Sequence, residues 1–207
     1  MPTTPDLGRP YHWQPAAAGG EIPPITLVLL HDDGGDEHSL MGLGASVAPG
    51  AGLLAPRRDP TDDPHHDAAE LAAFLSDAVA AFELDAGALW GLGFGAGATA
   101  LTGLAVDHPD ALAALIVLSG RAPFPAPGGR ILEAKKTFCA TGTEDESVSG
   151  AAYEELVELL VTAGAEVQLH WYECGHEVVP AEVDDVARFV ARWAVAADPG
   201  LSGPGTG

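Results

Sequence analysis

Hydrophobic residues occur along the chain in short continuous runs of strand length, which alternate with longer Ala- and Leu-rich segments of helical periodicity. This alternation is typical of a mostly parallel, twisted sheet with helices on both faces, so the pattern predicts an α/β fold. The predicted strands are 25–30, 52–55, 88–92, 115–118, 137–140 and 167–172. The predicted helices are 37–47, 67–82, 96–107, 151–163 and 181–194.

Both ends of the chain are rich in Pro, Gly and Ala and show little periodicity. We therefore expect an irregular N-terminal extension at 1–20, one α/β domain at 21–195 and a disordered tail at 196–207. Local signals mark several helix ends. Asp67 is the predicted N-cap of the second helix, Gly164 suits the end of the fourth, and Pro180 suits the first turn of the last.

Composition limits the possible partners. With 207 residues, 47% of them hydrophobic, the chain can form one full core and is too short to suggest two domains. Asp and Glu number 30 against nine Lys and Arg, which gives a net charge of −21. Such a surface repels nucleic acids and anionic lipid surfaces, so neither is an expected partner. A small ester-like or apolar ligand, and a second copy of the chain, remain possible.

The expected environment of the protein is the cytoplasm. The N-terminal segment has no basic stretch followed by an apolar one, and no run approaches the ~20 apolar residues of a membrane span. Two cysteines, Cys139 and Cys174, provide neither a disulfide framework nor a metal-binding motif. No cofactor is expected.

A glycine-rich turn at 91–97 carries the strongest chemical signal. It follows a predicted strand and opens a predicted helix, as does the nucleophile elbow G-x-S-x-G. The central position of that elbow has a strained, positive φ that exposes a serine hydroxyl. Here the central residue is Gly95, which adopts this geometry without a Cβ penalty and supplies no nucleophile.

Three further loops follow predicted strands and contain chemically competent side chains: 31–39, 141–145 and 174–177. The order elbow, then Asp145, then His176 is the order of catalytic residues in α/β hydrolases.

The chain resembles the phospholipase/carboxylesterase family of α/β hydrolases, which includes acyl-protein thioesterases. The resemblance covers roughly residues 25–195 and is carried by short matches that occur in the family's order. The matching positions are His31, Gly34 to Glu37, Pro56-Arg57, Gly93-Phe94, Gly97, Leu118 to Gly120, Gly142-Thr143, Asp145 and Gly175 to Glu177. It implies an α/β-hydrolase fold and serine esterase chemistry.

The resemblance also implies roles for individual residues. Asp145 would orient His176, His176 would act as the base, and the backbone amides of Asp33 and Ala96 would form the oxyanion hole. The side chains of His31, Asp32 and Phe94 would lie at the pocket.

Three departures from the family pattern affect its chemistry. Gly95 replaces the serine, and Ala96 replaces the glutamine that follows it. Asp32 and Asp33 occur in the turn that forms the oxyanion hole, where carboxylates oppose a developing negative charge. A plain alternative is that these aspartates cap the helix near Glu37. The segment after Arg57 is also short, which predicts an open or shallow pocket.

Other arrangements are less favoured by the sequence. His65, His66 and Asp67 could join the loop at 31–33 in a metal site, but their spacing better fits a solvated turn and a helix cap. A Cys174–His176 pair would need a sulfur facing the imidazole and a lowered thiol pKa, which proximity in sequence does not supply.

The sequence leaves three functional hypotheses open. The first is a protein of the hydrolase fold that has absent or weak esterase activity and binds a small ligand or a partner. The second is an ester hydrolase in which a water molecule fills the space at Gly95 and is deprotonated by His176, oriented by Asp145. The third is that Gly95 is an experimenter's substitution in an active esterase.

Overall fold

The computed structural model describes residues 5–17, 25–58, 63–126 and 128–196. Within these ranges seven strands form one sheet, in the order β1-β3-β2-β4-β5-β6-β7. The strands are β1 (Tyr11–Gln14), β2 (Thr26–Leu30), β3 (Gly52–Pro56), β4 (Leu89–Phe94), β5 (Ala114–Leu118), β6 (Lys136–Gly142) and β7 (Glu166–Tyr172). Strand β1 pairs antiparallel with β3, and all other neighbours are parallel.

In the described part of the chain, five α-helices cover the two faces of this sheet. They are α1 (Met41–Val47), α2 (Pro64–Phe82), α3 (Ala96–Asp107), α4 (Gly150–Thr162) and α5 (Pro180–Ala196). Side chains of α2, α3 and α4 pack in one core cluster, and those of α1 and α5 pack in a second cluster on the opposite face. The central strands are buried along their whole length, as parallel strands covered on both faces must be. The predicted α/β-hydrolase architecture is confirmed.

Two predicted helix starts are wrong. Helix α1 begins at Met41 rather than at 37, because the preceding residues form a turn in which Asp36 Oδ1 accepts from the His38 N–H at 3.0 Å. Helix α2 begins at Pro64, and its N-cap is Asp63 instead of Asp67. The Asp63 carboxylate accepts from the first free N–H groups of the helix, with proline at the first helical position.

The N-terminal segment predicted to be irregular contains strand β1, whose residues extend the sheet beside β3. The Tyr11 ring packs on Phe74 and Phe82 of α2, which anchors this edge strand to the core. The predicted tail at 196–207 lies outside the described residues except for Ala196, with which α5 ends. Among the described residues, no helix combines the length and apolar character that a membrane span requires.

The turn between β4 and α3 packs directly on the end of β2. A Cβ atom at Gly97 would lie 1.9 Å from the backbone oxygen of Leu30, so only glycine permits this approach. The elbow and the start of the loop after β2 are therefore in direct backbone contact.

Substitution of Gly97 by alanine is expected to destabilise the fold strongly, because its methyl group would collide with backbone atoms that cannot rotate away. Overpacking of this kind costs about 1–3 kcal/mol or more in free energy of unfolding, measurable by urea denaturation. The matched control is Gly42→Ala in helix α1, where a Cβ meets nothing within 4 Å. It is expected to be neutral or to stabilise by up to ~1 kcal/mol. Equal denaturation midpoints for the two variants would contradict this interpretation of the elbow.

Candidate active site

Parallel strands bring the chemically competent loops to one edge of the sheet. Strands β2, β4, β6 and β7 all end there, and they are followed by Asp32, Gly95, Asp145 and His176 respectively. The carboxyl edge of a parallel sheet is the usual position of a functional site in open α/β folds. The loops that the sequence predicted to carry chemistry therefore converge.

The Asp145–His176 pair is formed as expected from the sequence. Asp145 Oδ2 lies 2.8 Å from His176 Nδ1, and its side chain is fully buried. The other oxygen, Oδ1, accepts from the backbone N–H groups of Ser147 and Val148 at 2.8 Å each. These bonds fix the orientation of the carboxylate, which in turn fixes the imidazole ring.

Gly95 has the predicted positive φ, with φ 57° and ψ −123°. Its N–H donates to the backbone oxygen of Leu118 at 2.9 Å, which ties the turn to the neighbouring strand β5. Helix α3 starts at the next residue, Ala96, so the backbone of a nucleophile elbow is present in full.

The carboxylate of Asp32 occupies the space beside Gly95. A Cβ atom at position 95 would lie 2.2 Å from Asp32 Oδ1 and 2.6 Å from Oδ2. Oδ1 accepts from the Ala96 N–H at 2.7 Å, and Oδ2 lies 3.1 Å from His176 Nε2. Asp32 therefore fills the volume that a serine side chain would need and contacts the groups that such a serine would use.

The predicted oxyanion hole is occupied from within the chain. Burial alone would raise the pKa of Asp32, but hydrogen bonds from the backbone amides of Ala96 and Asp33 and from His176 lower it below its ordinary value. Of the two amides expected to bind an oxyanion, that of Ala96 thus binds this carboxylate. The alternative in which Asp32 or Asp33 caps helix α1 is wrong, since the residue before α1 is Leu40 and no side chain caps it.

His176 lies between two carboxylates, an arrangement that favours its imidazolium form. Ionised carboxylates only accept hydrogen bonds, so Nδ1 donates to Asp145 and Nε2 donates to Asp32. Burial lowers the pKa of His176, but the bonds to Asp145 and Asp32 outweigh it and leave the pKa above its ordinary value. The pKa of Asp145 is likewise lowered, because burial is outweighed by its bonds from Val148 and His176.

Of the three predicted pocket residues, Asp32 and Phe94 line cavities and His31 does not. The His31 ring is buried, with Nδ1 donating to the backbone oxygen of Asp32 at 2.7 Å and Nε2 accepting from the Arg58 N–H at 3.0 Å. The His31 ring therefore fixes the loop that carries Asp32 through these two hydrogen bonds. The Phe94 ring lies 4.7 Å from the His176 ring and packs against it.

Two cavities meet at Asp32. One has a volume of about 470 Å³ and is bordered by the side chains of Arg58, Arg121 and His176 together with apolar residues. The other, of about 540 Å³, has an apolar wall formed by Leu40, Leu43, Phe94, Val178 and Val183. Volumes of this size suit small organic ligands. Asp32 and Asp33 border both spaces. Because residues 59–62 of the short segment lie outside the described part of the chain, the open or shallow pocket stays a prediction.

Arg58 was not singled out from the sequence as a site residue. Its side chain is only 7% exposed, donates to the backbone oxygen of His31 at 3.2 Å and lies 4.0 Å from Asp67. Burial lowers the pKa of Arg58, while Asp67, Asp33 and Asp32 act in the opposite direction. A buried cation in so acidic a chain offsets the charge of the aspartates at the elbow.

Two alternative chemistries find no support in the geometry. Among the described residues, no group of three or more His, Cys, Asp or Glu side chains could hold a metal ion. His65 instead bonds to Asp107, with Nδ1 2.5 Å from Oδ2. The Cys174 thiol donates to the backbone oxygen of Glu177, and burial raises its pKa, so it does not form a reactive pair with His176.

Comparison with known proteins agrees with this fold. No protein-family model matches the sequence. The Bacillus subtilis (strain 168) protein named Putative hydrolase MhqD is 24% identical over 181 residues, which cover 79% of this chain and 90% of that protein.

Two solved structures are similar over nearly the whole chain. The Bacillus cereus carboxylesterase is 25% identical, with a TM-score of 0.81, over 92% of this chain and 95% of the other. A carboxylesterase from Mesorhizobium loti is 27% identical, with a TM-score of 0.77, over 92% and 98% of the two chains. The predicted resemblance to phospholipase/carboxylesterase-type α/β hydrolases is confirmed.

Replacement of Asp32 by asparagine is expected to lower the pKa of His176, because a neutral amide no longer stabilises the imidazolium. An NMR titration of the His176 ring measures this directly. The matched control is Glu146→Gln, which removes an exposed carboxylate one residue from Asp145 and should leave the titration unchanged.

The contact between His176 and Asp32 also makes the free energy of unfolding depend on pH. A raised pKa of His176 stabilises the fold below the ordinary histidine pKa, and this contribution is lost as the pH rises through the folded-state value. The lowered pKa values of Asp32 and Asp145 stabilise above the ordinary aspartate pKa, and this is lost as the pH falls through their folded-state values. The loss of stability in Asp32→Asn should therefore be larger near pH ~5.5 than near pH ~9. An equal loss at both values would contradict the ion pair.

Proposed function

We propose that this carboxylesterase-like α/β hydrolase binds a small ester-like or apolar ligand beside Asp32 and does not hydrolyse esters through an acyl-enzyme. The observation that carries this proposal is the position of the Asp32 carboxylate, 2.2 Å from where a Cβ of residue 95 would be. Serine esterases need a nucleophile, a free base and free oxyanion donors at the same time. Here position 95 supplies no nucleophile, and the other two are engaged by Asp32.

The cavities support the binding part of the proposal. The apolar space beside Phe94 can accept an alkyl or aryl group, while the polar space beside Arg58 and Arg121 can accept an oxygen-bearing one. The carboxylesterases of Bacillus cereus and Mesorhizobium loti have this fold, and a ligand of ester-like chemistry is consistent with that likeness.

The water-activated ester hydrolase is the less favoured alternative. In that mechanism a neutral His176 accepts a proton from water through Nε2. Nε2 instead faces the Asp32 carboxylate, which also takes the space proposed for the water. The alternative would require Asp32 to leave both His176 and the Ala96 amide.

Direct assays test the proposal on the unmodified protein. We expect no labelling by a fluorophosphonate and no hydrolysis of p-nitrophenyl acetate above that of buffer. We also expect phenyl acetate to bind saturably and to shift the NMR signals of His176. Hydrolysis that disappears in His176→Ala would overturn the proposal in favour of the activated-water mechanism.

Restoring the serine alone is expected to give a less stable protein and a poor esterase. Gly95→Ser places a Cβ at positive φ and against Asp32, a strain on the scale of about 1–3 kcal/mol in free energy of unfolding. Adding Asp32→Gly removes the collision and frees the Ala96 amide. Since one oxyanion donor is worth ~10²–10³ in rate, the double variant should exceed the single one in kcat/KM on p-nitrophenyl acetate by about that factor.

The control for this series is Asp32→Gly alone, which opens the site but has no serine and should remain unlabelled by the fluorophosphonate. If Gly95→Ser alone matched the double variant in turnover, Asp32 would not be what blocks the oxyanion hole.

A further inference from the structure

Strand β7 forms one edge of the sheet and has no strand beyond it in the described part of the chain. The Glu166 N–H donates to the backbone oxygen of Lys135 at 2.9 Å, and the Tyr172 oxygen accepts from the Thr143 N–H at 2.8 Å. Because backbone groups alternate in direction along a strand, the even-numbered residues of β7 face β6. The N–H and C=O groups that point away from the sheet are therefore those of Val167, Leu169 and Trp171.

Large hydrophobic side chains are exposed near this same edge. Those that the described part of the chain exposes are Ile131, Val161, Leu169 and Trp171. Two of them belong to β7, and Val161 belongs to α4, which packs on β7. Ile131 precedes Leu132, whose N–H donates to the backbone oxygen of Ala163 just after α4. Apolar side chains gathered at one edge are typical of an interaction surface.

The β7 edge also lacks the features that keep exposed strands from pairing. Natural edge strands are short, or they carry lysine, proline or other residues that oppose pairing. Strand β1, at the opposite edge, has four residues and lies between Pro10 and Pro15. Strand β7 has seven residues, and within 167–172 it contains no Pro, Lys, Arg, Asp or Glu. In a chain with a net charge of −21, so uncharged an edge favours contact with another strand.

We propose that β7 pairs antiparallel with β7 of a second copy of this chain, across a two-fold axis at Leu169, so that the two sheets join into one. The residues of β7 border neither of the cavities beside Asp32, so this dimer does not depend on the proposed function.

The position of the axis follows from the direction of the backbone groups. In an antiparallel pair, residues that exchange two hydrogen bonds lie directly opposite each other. Each outward-facing residue of β7 must therefore lie opposite another outward-facing residue. With Leu169 opposite Leu169 of the second copy, Val167 lies opposite Trp171, and the outward groups of all three residues are paired. A shift by two residues would place Trp171 opposite Ala165, which lies outside the strand.

On the face covered by α4, this register forms a continuous apolar strip. The Trp171 ring lies 6.0 Å from the Tyr153 ring of α4, and Val167 packs against the same core cluster. Leu169 lies between them on the same face, because side chains alternate along a strand. Directly opposite residues of paired strands share a face, so these side chains meet their counterparts. Leu169 is 41% exposed and Trp171 39% exposed, so both have apolar surface to bury.

On the face covered by α5, the register avoids opposing like charges. Gln168 lies opposite His170 of the second copy, which places an amide beside an imidazole. Glu166 lies opposite Tyr172, so the strand's one carboxylate does not face its own counterpart. A cationic partner would be drawn to the carboxylates on other parts of the surface, since residues 167–172 offer none. A second copy supplies a strand of matching length, register and charge.

Residues 197–207 of the same chain are a less suitable occupant of the edge. They follow the end of α5 and contain Pro199, Pro204 and four glycines. Proline cannot donate to a ladder, and glycine weakens a strand, so this composition disfavours pairing with β7.

Sedimentation velocity of the 207-residue chain measures the dimer directly, over a range of protein concentrations in about 0.15 M and about 1 M salt. We expect a monomer–dimer equilibrium whose dissociation constant is lower at the higher salt concentration. Salt screens the repulsion between two chains of charge −21, whereas the strand contacts act at short range. A monomer at every concentration in both salts would overturn the proposal.

The variant Leu169→Lys tests the position of the axis, because it places two ammonium groups opposite each other. It should raise the dissociation constant of the dimer by ~100-fold or more. The matched control is Ala73→Lys, which adds the same charge at an exposed position on α2 and should leave the constant unchanged. A Leu169→Lys protein with the circular dichroism and the dimerisation of the wild type would overturn the proposal.

Amide hydrogen exchange, followed by NMR, tests the register in the wild-type protein without any substitution. The N–H groups of Val167, Leu169 and Trp171 are hydrogen-bonded only in the dimer, so their exchange should slow as the protein concentration rises. The Gln168 N–H faces β6 in both states and serves as the internal control. A dimer in which the three outward amides exchange as fast as in the monomer would place the interface elsewhere and overturn the proposal.

Slow exchange that does not depend on protein concentration would mean that the chain covers its own edge. This result would overturn the proposal as well, and its loss on removal of residues 197–207 would identify the segment that covers β7.

Discussion

The site depends on one carboxylate bound by a backbone amide on one side and an imidazolium on the other. Asp32 joins the loop after β2 to the start of α3 through Ala96, and to the loop after β7 through His176. Asp145 then continues the chain of bonds to the loop after β6. The loops after β2, β6 and β7 are thereby connected through side chains of alternating charge, and the start of α3 joins them through its backbone. Asp32, His176 and Asp145 each thus have a partner of opposite charge.

This arrangement explains how a strongly acidic chain can place carboxylates together at one point. Asp32, Asp33 and Asp145 would repel one another in an apolar setting, since charges at short range interact by several kcal/mol at about dielectric 20. The imidazolium of His176 lies between Asp32 and Asp145, and the buried guanidinium of Arg58 bonds to the loop that carries Asp32 and Asp33. A histidine and one buried arginine thus offset the charge of the aspartates at the elbow.

Much of the fold could be predicted from the sequence because its signals are local. Helix α3 has the predicted bounds, since the glycine turn before it and the apolar run that forms β4 mark its start. The start of α1 was wrong because the Asp36 turn competes with the helix for the same residues. Strand β1 was missed because it is four residues long, partly polar, and becomes a strand only by pairing with β3.

The residues of the candidate site could be predicted from the sequence, but the contacts of Asp32 with His176 and with the Ala96 amide could not. Motif order identified Asp145 and His176 as partners, and the positive φ of Gly95 follows from the elbow. The inward orientation of Asp32 was not predictable, because an aspartate in a glycine turn equally suits a helix cap. Its actual partners are 64 and 144 residues away in the chain, and only the folded backbone brings them within bonding distance.

The shared volume of positions 32 and 95 makes these two residues a coupled pair. A side chain at position 95 and an inward-facing carboxylate at position 32 need the same space beside the Ala96 amide. Combining a serine with this aspartate therefore carries a strain on the scale of about 1–3 kcal/mol. Sequences of this fold with a side chain at the elbow should accordingly have a small residue at position 32, so that selection acts on the pair and not on either position alone.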